Sequence, residues 1–251
     1  MKRAAILLCI LLAAAFAPMA ARASGIDFTA QPGSIDIHAL YNGTSLQVEG
    51  RVPEGSQVVL RFVGSSEDVR MKEKGKALGL LWMNMNTLHF GNVPKVCLID
   101  SSAPMKDLGL AGAKLGLEGL ADNISIDPPS ADRKALLPEL LLLKGQEGLF
   151  RQESSAVKLG EKHDGMQAFS AVLAIPSRLS PGTYSVEVFA VKDGVVQGQS
   201  AKPVDARLIG VPALMADLAF NHGAWYGILA SIIAILGGLA IGLVFQSKGA
   251  H

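Results

Sequence analysis

Leu179-Ser180-Pro181-Gly182-Thr183-Tyr184-Ser185-Val186 is the stretch on which the fold turns. A Pro-Gly turn feeds an alternating strand, and L-x-P-G-x-Y at a strand start matches a tyrosine corner, in which a phenol reaches back to a backbone group a few residues upstream. Pro181, Gly182 and Tyr184 therefore read as structural residues of an immunoglobulin-like sandwich. A Pro-Gly turn before any tyrosine-bearing strand produces a similar string, so the neighbouring pattern has to agree.

Downstream, Thr183 to Lys192 reads as a strand, and Lys192-Asp193-Gly194-Val195 as a D-G hairpin into a closing strand that ends near Val204. Upstream, Ala168 to Ile175 and Ala156-Val157-Lys158-Leu159 carry β patterns. Nearer the N-terminus, Ser34 to Leu40 and Ser45 to Gly50 alternate apolar with polar residues around Asn42-Gly43, a hairpin turn signal. Pro53-Glu54-Gly55 then turns the chain into Gln57 to Val63. Strands at this short spacing suit a sandwich or a barrel. Two further β segments are expected at Asp68 to Lys74 and Leu78 to Phe90. The first suits an exposed edge, where Arg70, Lys72 and Lys74 discourage unwanted pairing.

Between Pro104 and Leu149 the composition turns helical. Met105 to Leu120 is rich in Leu, Ala and Gly, its glycines weakening a long regular helix. After the stiff Asp127-Pro128-Pro129 turn, Ser130 or Asp132 can cap a second helix through Leu136, Leu137, Leu140, Leu141 and Leu143, ending near Gly145 or Gly148. The expected fold is thus mainly β: an Ig-like β-sandwich over residues 24–207 with a helical insertion at about 104–150, followed by one C-terminal transmembrane helix.

That helix is predicted over residues 226–245, since Gly227 to Phe245 has no charged side chain and approaches the ~20 residues that cross a bilayer. Trp225 and Tyr226 suit the interface ahead of it, and Lys248 follows it. Gly227, Ser231, Ala234, Gly238 and Gly242 fall on one helical stripe, and Gly238 to Gly242 matches the small-xxx-small pattern of helix packing in lipid. Glycine and alanine are also simply frequent in membrane helices. Just before the span, Leu208, Val211, Leu214, Met215 and Leu218 predict a juxtamembrane amphipathic helix within 208–225, broken at Asn221-His222-Gly223.

Lys2 and Arg3, an apolar run from Ala4 to Ala17, and Ala21-Arg22-Ala23 have the order of a secretory signal peptide over residues 1–23. Cleavage there would place the mature domain outside and leave residues 246–251 as a short cytoplasmic tail, which means a single pass through a bacterial inner membrane with the N-terminal domain periplasmic. Without the signal, the chain has 20 basic against 22 acidic residues, a formal charge of −2. This near-neutral balance argues against nucleic acid as a partner.

Cys9 lies in the signal, which leaves Cys97 alone in the mature chain: a buried apolar filler, an intermolecular link or a ligand. An extended Leu81 to Asn86 would put Leu81, Met83 and Met85 on one face, with Trp82, Asn84 and Asn86 on the other. Met83, Met85, His89 and Cys97 together make the one set of soft ligands suited to Cu(I), although methionines in such a run also serve as core filler. His38, His89, His163 and His222 are scattered, with no HExxH, G-x-S-x-G or phosphate-cradling glycine loop. No catalytic residue and no cofactor is therefore assigned, and a non-enzymatic protein is expected.

Several of these features recur together in an uncharacterised family of bacterial transmembrane proteins of alphaproteobacterial type, which the chain resembles. Lys74, Gly79, Trp82 and Asn84 match its Lys-x(n)-Gly-x-x-Trp-x-Asn element, Val93-Pro94 its next strand start, and Pro181-Gly182-Thr183-Tyr184 its later turn. Trp225-Tyr226-Gly227 leads into the span as in that family. Lys95-Val96-Cys97 departs from the aromatic expected after Val93-Pro94, so Cys97 has no counterpart role there. The resemblance implies no established activity, and members can neighbour permeases of the sulfite-exporter type. The expected role is an accessory or interaction subunit of an envelope or transporter complex. Its partners would be the lipid bilayer and another integral membrane protein or a second copy; the alternative is soft-metal (copper) handling.

Overall fold

Alternating apolar residues fold the chain into facing sheets in the computed structural model, which describes residues 26–77, 80–129 and 132–246. Four strands form one sheet in the order β1 (Asp27–Gln31), β3 (Thr44–Pro53), β11 (Met166–Ile175) and β10 (Lys158–His163). Six form the second, in the order β2 (Ser34–Ile37), β13 (Val195–Leu208), β12 (Gly182–Lys192), β4 (Gln57–Gly64), β7 (Cys97–Ser101) and β9 (Phe150–Glu153). Between them lies a core in which Phe28, Leu46, Val48, Phe169 and Leu173 of the smaller sheet meet Leu60, Phe62, Leu98, Val186 and Val188 of the larger. The sequence pattern anticipates this layer because one face of each outer strand is dry and the other wet.

The Asn42-Gly43 element is not a hairpin turn. β2 runs parallel to β13 in the larger sheet, whereas β3 pairs with β1 and β11 in the smaller one, so residues 38–43 carry the chain from sheet to sheet. Gly43, at φ +88°, is required there, because a Cβ would come within 2.7 Å of the Ile175 carbonyl oxygen. Asp193-Gly194 does turn a hairpin, joining β12 to β13 with φ positive at both residues, the backbone that matches strand twist.

A third layer covers the outer face of the larger sheet. It contains a three-stranded sheet, β5 (Ser66–Ala77), β6 (Leu81–Pro94) and β8 (Ser125–Asp127), and three helices, α1 (Gly109–Leu115), α2 (Leu117–Ala121) and α3 (Arg133–Gln146). The single helix suggested by Met105 to Leu120 is broken into a 3-10 turn at Met105–Leu108 and the short α1 and α2, which part at the extended Gly116. Asp132 caps α3, its carboxylate accepting from the N–H groups of Lys134 and Ala135 at 3.1 and 3.3 Å. Arg133 ties the helix start to its surroundings by donating to the carbonyls of Ile124 and Ala121. Leu88, Phe90, Leu108, Leu115 and Leu140 from this layer bury against Val59, Cys97, Ile99, Phe189 and Val191 of the larger sheet. Strand β7 is consequently buried on both faces, and β4 carries apolar residues toward both cores, with Arg61 on its outer face paired to Glu187 at 2.6 Å.

Beyond β13 the chain forms α4 (Val211–Asn221), with Pro212 in its first turn, and α5 (Gly223–Gln246), the two parting at His222. α4 buries none of its residues. The expected signal peptide, with Cys9, and the tail beyond Gln246 lie outside the described residues.

Candidate functional site

Tyr184 begins at the start of β12 and reaches back, its hydroxyl donating to the Ser180 carbonyl at 2.7 Å. The ring stacks on Phe62 with centroids 5.0 Å apart, and burial raises the phenol pKa above its ordinary value. Gly64 makes room for it, since a Cβ there would lie 2.9 Å from Tyr184 Cε1. Gly182 at φ +149° supplies a backbone conformation that side chains disfavour, and Pro181 before it is exposed. These residues build structure. Tyr184 pairs with Gly64 on one side and Val204 on the other, so the root of the β5–β6 hairpin and the exit of β13 toward α5 lie at one end of the larger sheet.

Of the proposed soft-metal residues, exposed Met83 and His89 do not meet buried Cys97, and the side chains of Met85 and Trp82 lie outside the described ones. Lys74 pairs with Asn84 and Glu73 with Asn86, so the strand register shifts at Met85 as a β-bulge. Trp82 sits opposite Lys76 near the hairpin tip. Met83 is 51% exposed near the tip, and His89 is exposed opposite Arg70 and Asp127, six residues or roughly 20 Å further along β6. Cys97 points instead into the inner side of the third layer, and burial pushes its thiol up to about 12, with Arg61 opposing and Glu187 reinforcing the shift. Such a thiol is neither a ready nucleophile nor a ready ligand. Among the described residues, no three His, Cys, Asp or Glu side chains gather as a metal-holding group.

Sequence reasoning overlooked Asp100, the one charge in the run Cys97-Leu98-Ile99-Asp100 and 1% exposed. Its Oδ1 lies 3.7 Å from Arg151 Nη2 and takes no hydrogen bond, while Arg151 Nε is 3.1 Å from Glu153 Oε1. Burial pushes the carboxyl up to about 6, with Arg151 pulling it down and Glu153 up. The signal was an acidic residue directly after the apolar run Val96 to Ile99.

α5 carries Gly227, Ser231, Ala234, Gly238 and Gly242 within about 80° of its circumference, from 100° per residue. A Cβ at Gly227, Gly238 or Gly242 would meet nothing within 4 Å, and the Ser231 hydroxyl donates to the Gly227 carbonyl at 2.9 Å. The stripe is therefore open, and its one hydroxyl is already engaged within the helix. Residues Gly223–Leu243 have a mean hydropathy of 2.2 and bury nothing against the rest of the chain, a length and composition that cross a bilayer. A β-rich sandwich joined through a short helix to one exposed apolar helix defines a membrane-anchored protein. The chain belongs to the family described as "Putative transmembrane protein (Alph_Pro_TM)", whose model matches residues 26–247. No curated protein matches it.

Proposed function

We propose that the chain is a non-enzymatic subunit of an envelope or transporter complex in the bacterial inner membrane. In this reading a signal peptide exports the immunoglobulin-like domain to the periplasm, and the tail after Gln246 stays in the cytoplasm. The open stripe of α5 carries the argument, because apolar burial gives no drive for helix association in lipid, whereas close backbone packing on small residues does. The layers of the domain bury core faces against one another, whereas the anchor buries nothing against the rest of the chain, so its small-residue stripe is free to pack on another helix.

The test is crosslinking and co-purification of the intact protein from its own membranes, beside a version truncated after Leu208. The intact chain is expected to retain an integral-membrane partner that the truncated one loses; a partner of the chain's own mass would identify a homo-oligomer. Gly238→Leu combined with Gly242→Leu should release that partner, and retention of every partner by the double variant would refute the reading.

A further inference from the structure

Two apolar features stand uncovered at the end of the sandwich from which the chain runs out to its anchor. The first is α4, which carries a single charge, Asp217, and buries none of its residues. Val211, Leu214, Met215 and Leu218 fall within about 100° of its circumference, from 100° per residue, and Phe220 on the other side is 87% exposed. A helix that is apolar all round belongs in a protein core or in lipid, and neither core of this molecule includes a residue of α4. The second feature is Leu40, 86% exposed on a braced turn. The Leu40 N–H donates to His38 Nδ1 at 3.2 Å, the Tyr41 N–H to the His38 carbonyl at 2.9 Å, and the Tyr41 hydroxyl to the Pro176 carbonyl at 3.3 Å. This turn leaves the larger sheet next to the exit toward α4, because β2 runs parallel to β13 with Ile37 opposite Leu208, and the Ile209 N–H donates to the Ile37 carbonyl at 3.0 Å.

We propose that α4 lies along the lipid–water interface of the membrane that α5 crosses and that Leu40 enters the same interface, so that the sandwich is seated on the bilayer at two points. Length keeps α4 out of the span itself. Gly223–Leu243 already makes about 31 Å of helix, the thickness of the hydrocarbon layer, whereas a straight run from Val211 to Leu243 would need about 50 Å. Standing upright in water, α4 would keep its apolar side chains wet; the non-helical backbone at His222 lets it turn along the surface instead. Asp217, Asn221 and His222 collect at that break, the Asp217 carboxylate accepting from Asn221 Nδ2 at 2.8 Å, and Trp225 and Tyr226 follow, the order of headgroup-level and interfacial aromatic residues ahead of a span. Only Ile209 and Gly210 join β13 to α4, about 7 Å of chain, so an interfacial α4 brings the end of the sandwich, and Leu40 with it, to the headgroups. From Ile209 to Gln246 there is no Lys or Arg, and at this end Arg207 pairs with Asp36 at 2.7 Å and Arg178 with Glu147 at 3.8 Å. The contact is therefore apolar insertion, indifferent to headgroup charge.

The inference rests on α5 crossing a membrane and not on its association with a partner. Full chains carrying Cys9→Ser and one new thiol, from Met215→Cys in α4, Ala39→Cys next to Leu40, or Val195→Cys at the far end of β13, are labelled with an environment-sensitive dye; buried Cys97 stays unlabelled. In phosphatidylcholine vesicles with bromine on the lipid chains, the dyes in α4 and next to Leu40 are expected to lose about half of their emission and the dye at the far end none. Added phosphatidylglycerol and high salt should change neither result. Leu40→Asp should abolish the quenching next to it, and Leu214→Asp with Leu218→Asp that in α4. Gly238→Leu with Gly242→Leu should leave both unchanged, which separates this seating from the failure of helix association. A dye in α4 that bromine never quenches overturns the proposal, and so does a dye next to Leu40 that stays aqueous while α4 is quenched. Quenching that appears only with anionic lipid overturns it too. Shielding that follows protein density without bromine quenching does the same, and names a second copy as the occupant.

Discussion

The two faces of the six-stranded sheet are buried in different ways. One face meets another sheet, and the residues that fill that space come from strands whose inward and outward positions alternate along the chain. The other meets helices and the root of a long hairpin, and its contributors are gathered from separate segments between Val59 and Val191. Local alternation is a direct imprint of a one-sided strand, so the first core is written residue by residue; the second depends on which segments fold back over a surface that is already formed. The difference teaches that the sandwich is the frame and the third layer is laid upon it.

Paired truncations test that order. Phe62→Ala removes a ring at full burial in the first core and its stack on Tyr184, and should cost about 3–5 kcal/mol in denaturant unfolding with loss of both layers together. Leu140→Ala in α3 should cost about 2–4 kcal/mol, with amide exchange accelerated in α3 and the hairpin root and unchanged in β12 and β4. Equal acceleration in both regions would make the layers one cooperative unit and break the comparison.

Asp100 offers a pH test at the end of β7. Its folded pKa of about 6 lies above the ordinary carboxylate value near ~3.9, so the folded state binds the extra proton and stability falls as pH rises from about 4 to about 6. Above that window the penalty is constant, on the order of 3 kcal/mol. Asp100→Asn should therefore raise the urea midpoint at pH 7 relative to the parent chain and change it little at pH 4. The opposite difference would mean that the pair with Arg151, at 3.7 Å, outweighs the burial.

Tyr184→Phe gives the smallest effect. It deletes the hydroxyl that donates to Ser180 while keeping the ring against Phe62, and should cost about 1 kcal/mol by the same denaturant measurement. A loss as large as that of Phe62→Ala would place the corner, and not the packed ring, at the centre of the frame.

Particular residues mark where reading the chain stopped. Pro181-Gly182-Thr183-Tyr184 announced the corner, Asp193-Gly194 its hairpin, and Asp132 a helix cap, because each is a local bargain between neighbouring side chain and backbone. Asn42-Gly43 misled, since a turn signal says that the chain bends and not which sheet receives it. The bulge at Met85 and the short β8 and β9 had no periodic signature, as three or four residues with no alternation display none. The small-residue stripe of the anchor was legible in full, because a helix of known pitch assigns each position to a face whatever surrounds it.

The amino-acid sequence by itself determined the β class, the tyrosine corner, the cap of α3, and an apolar helix long enough to cross a bilayer, all consequences of periodicity and near-neighbour hydrogen bonding. Only the tertiary structure decided that β7 is buried on both sides, that Cys97 is an interior thiol whereas Met83 and His89 are exposed, and that Leu80 and Leu81 stand clear of the core. Those outcomes depend on contacts between segments far apart in the chain, whose partners are chosen by packing geometry and not by the pattern of either segment alone.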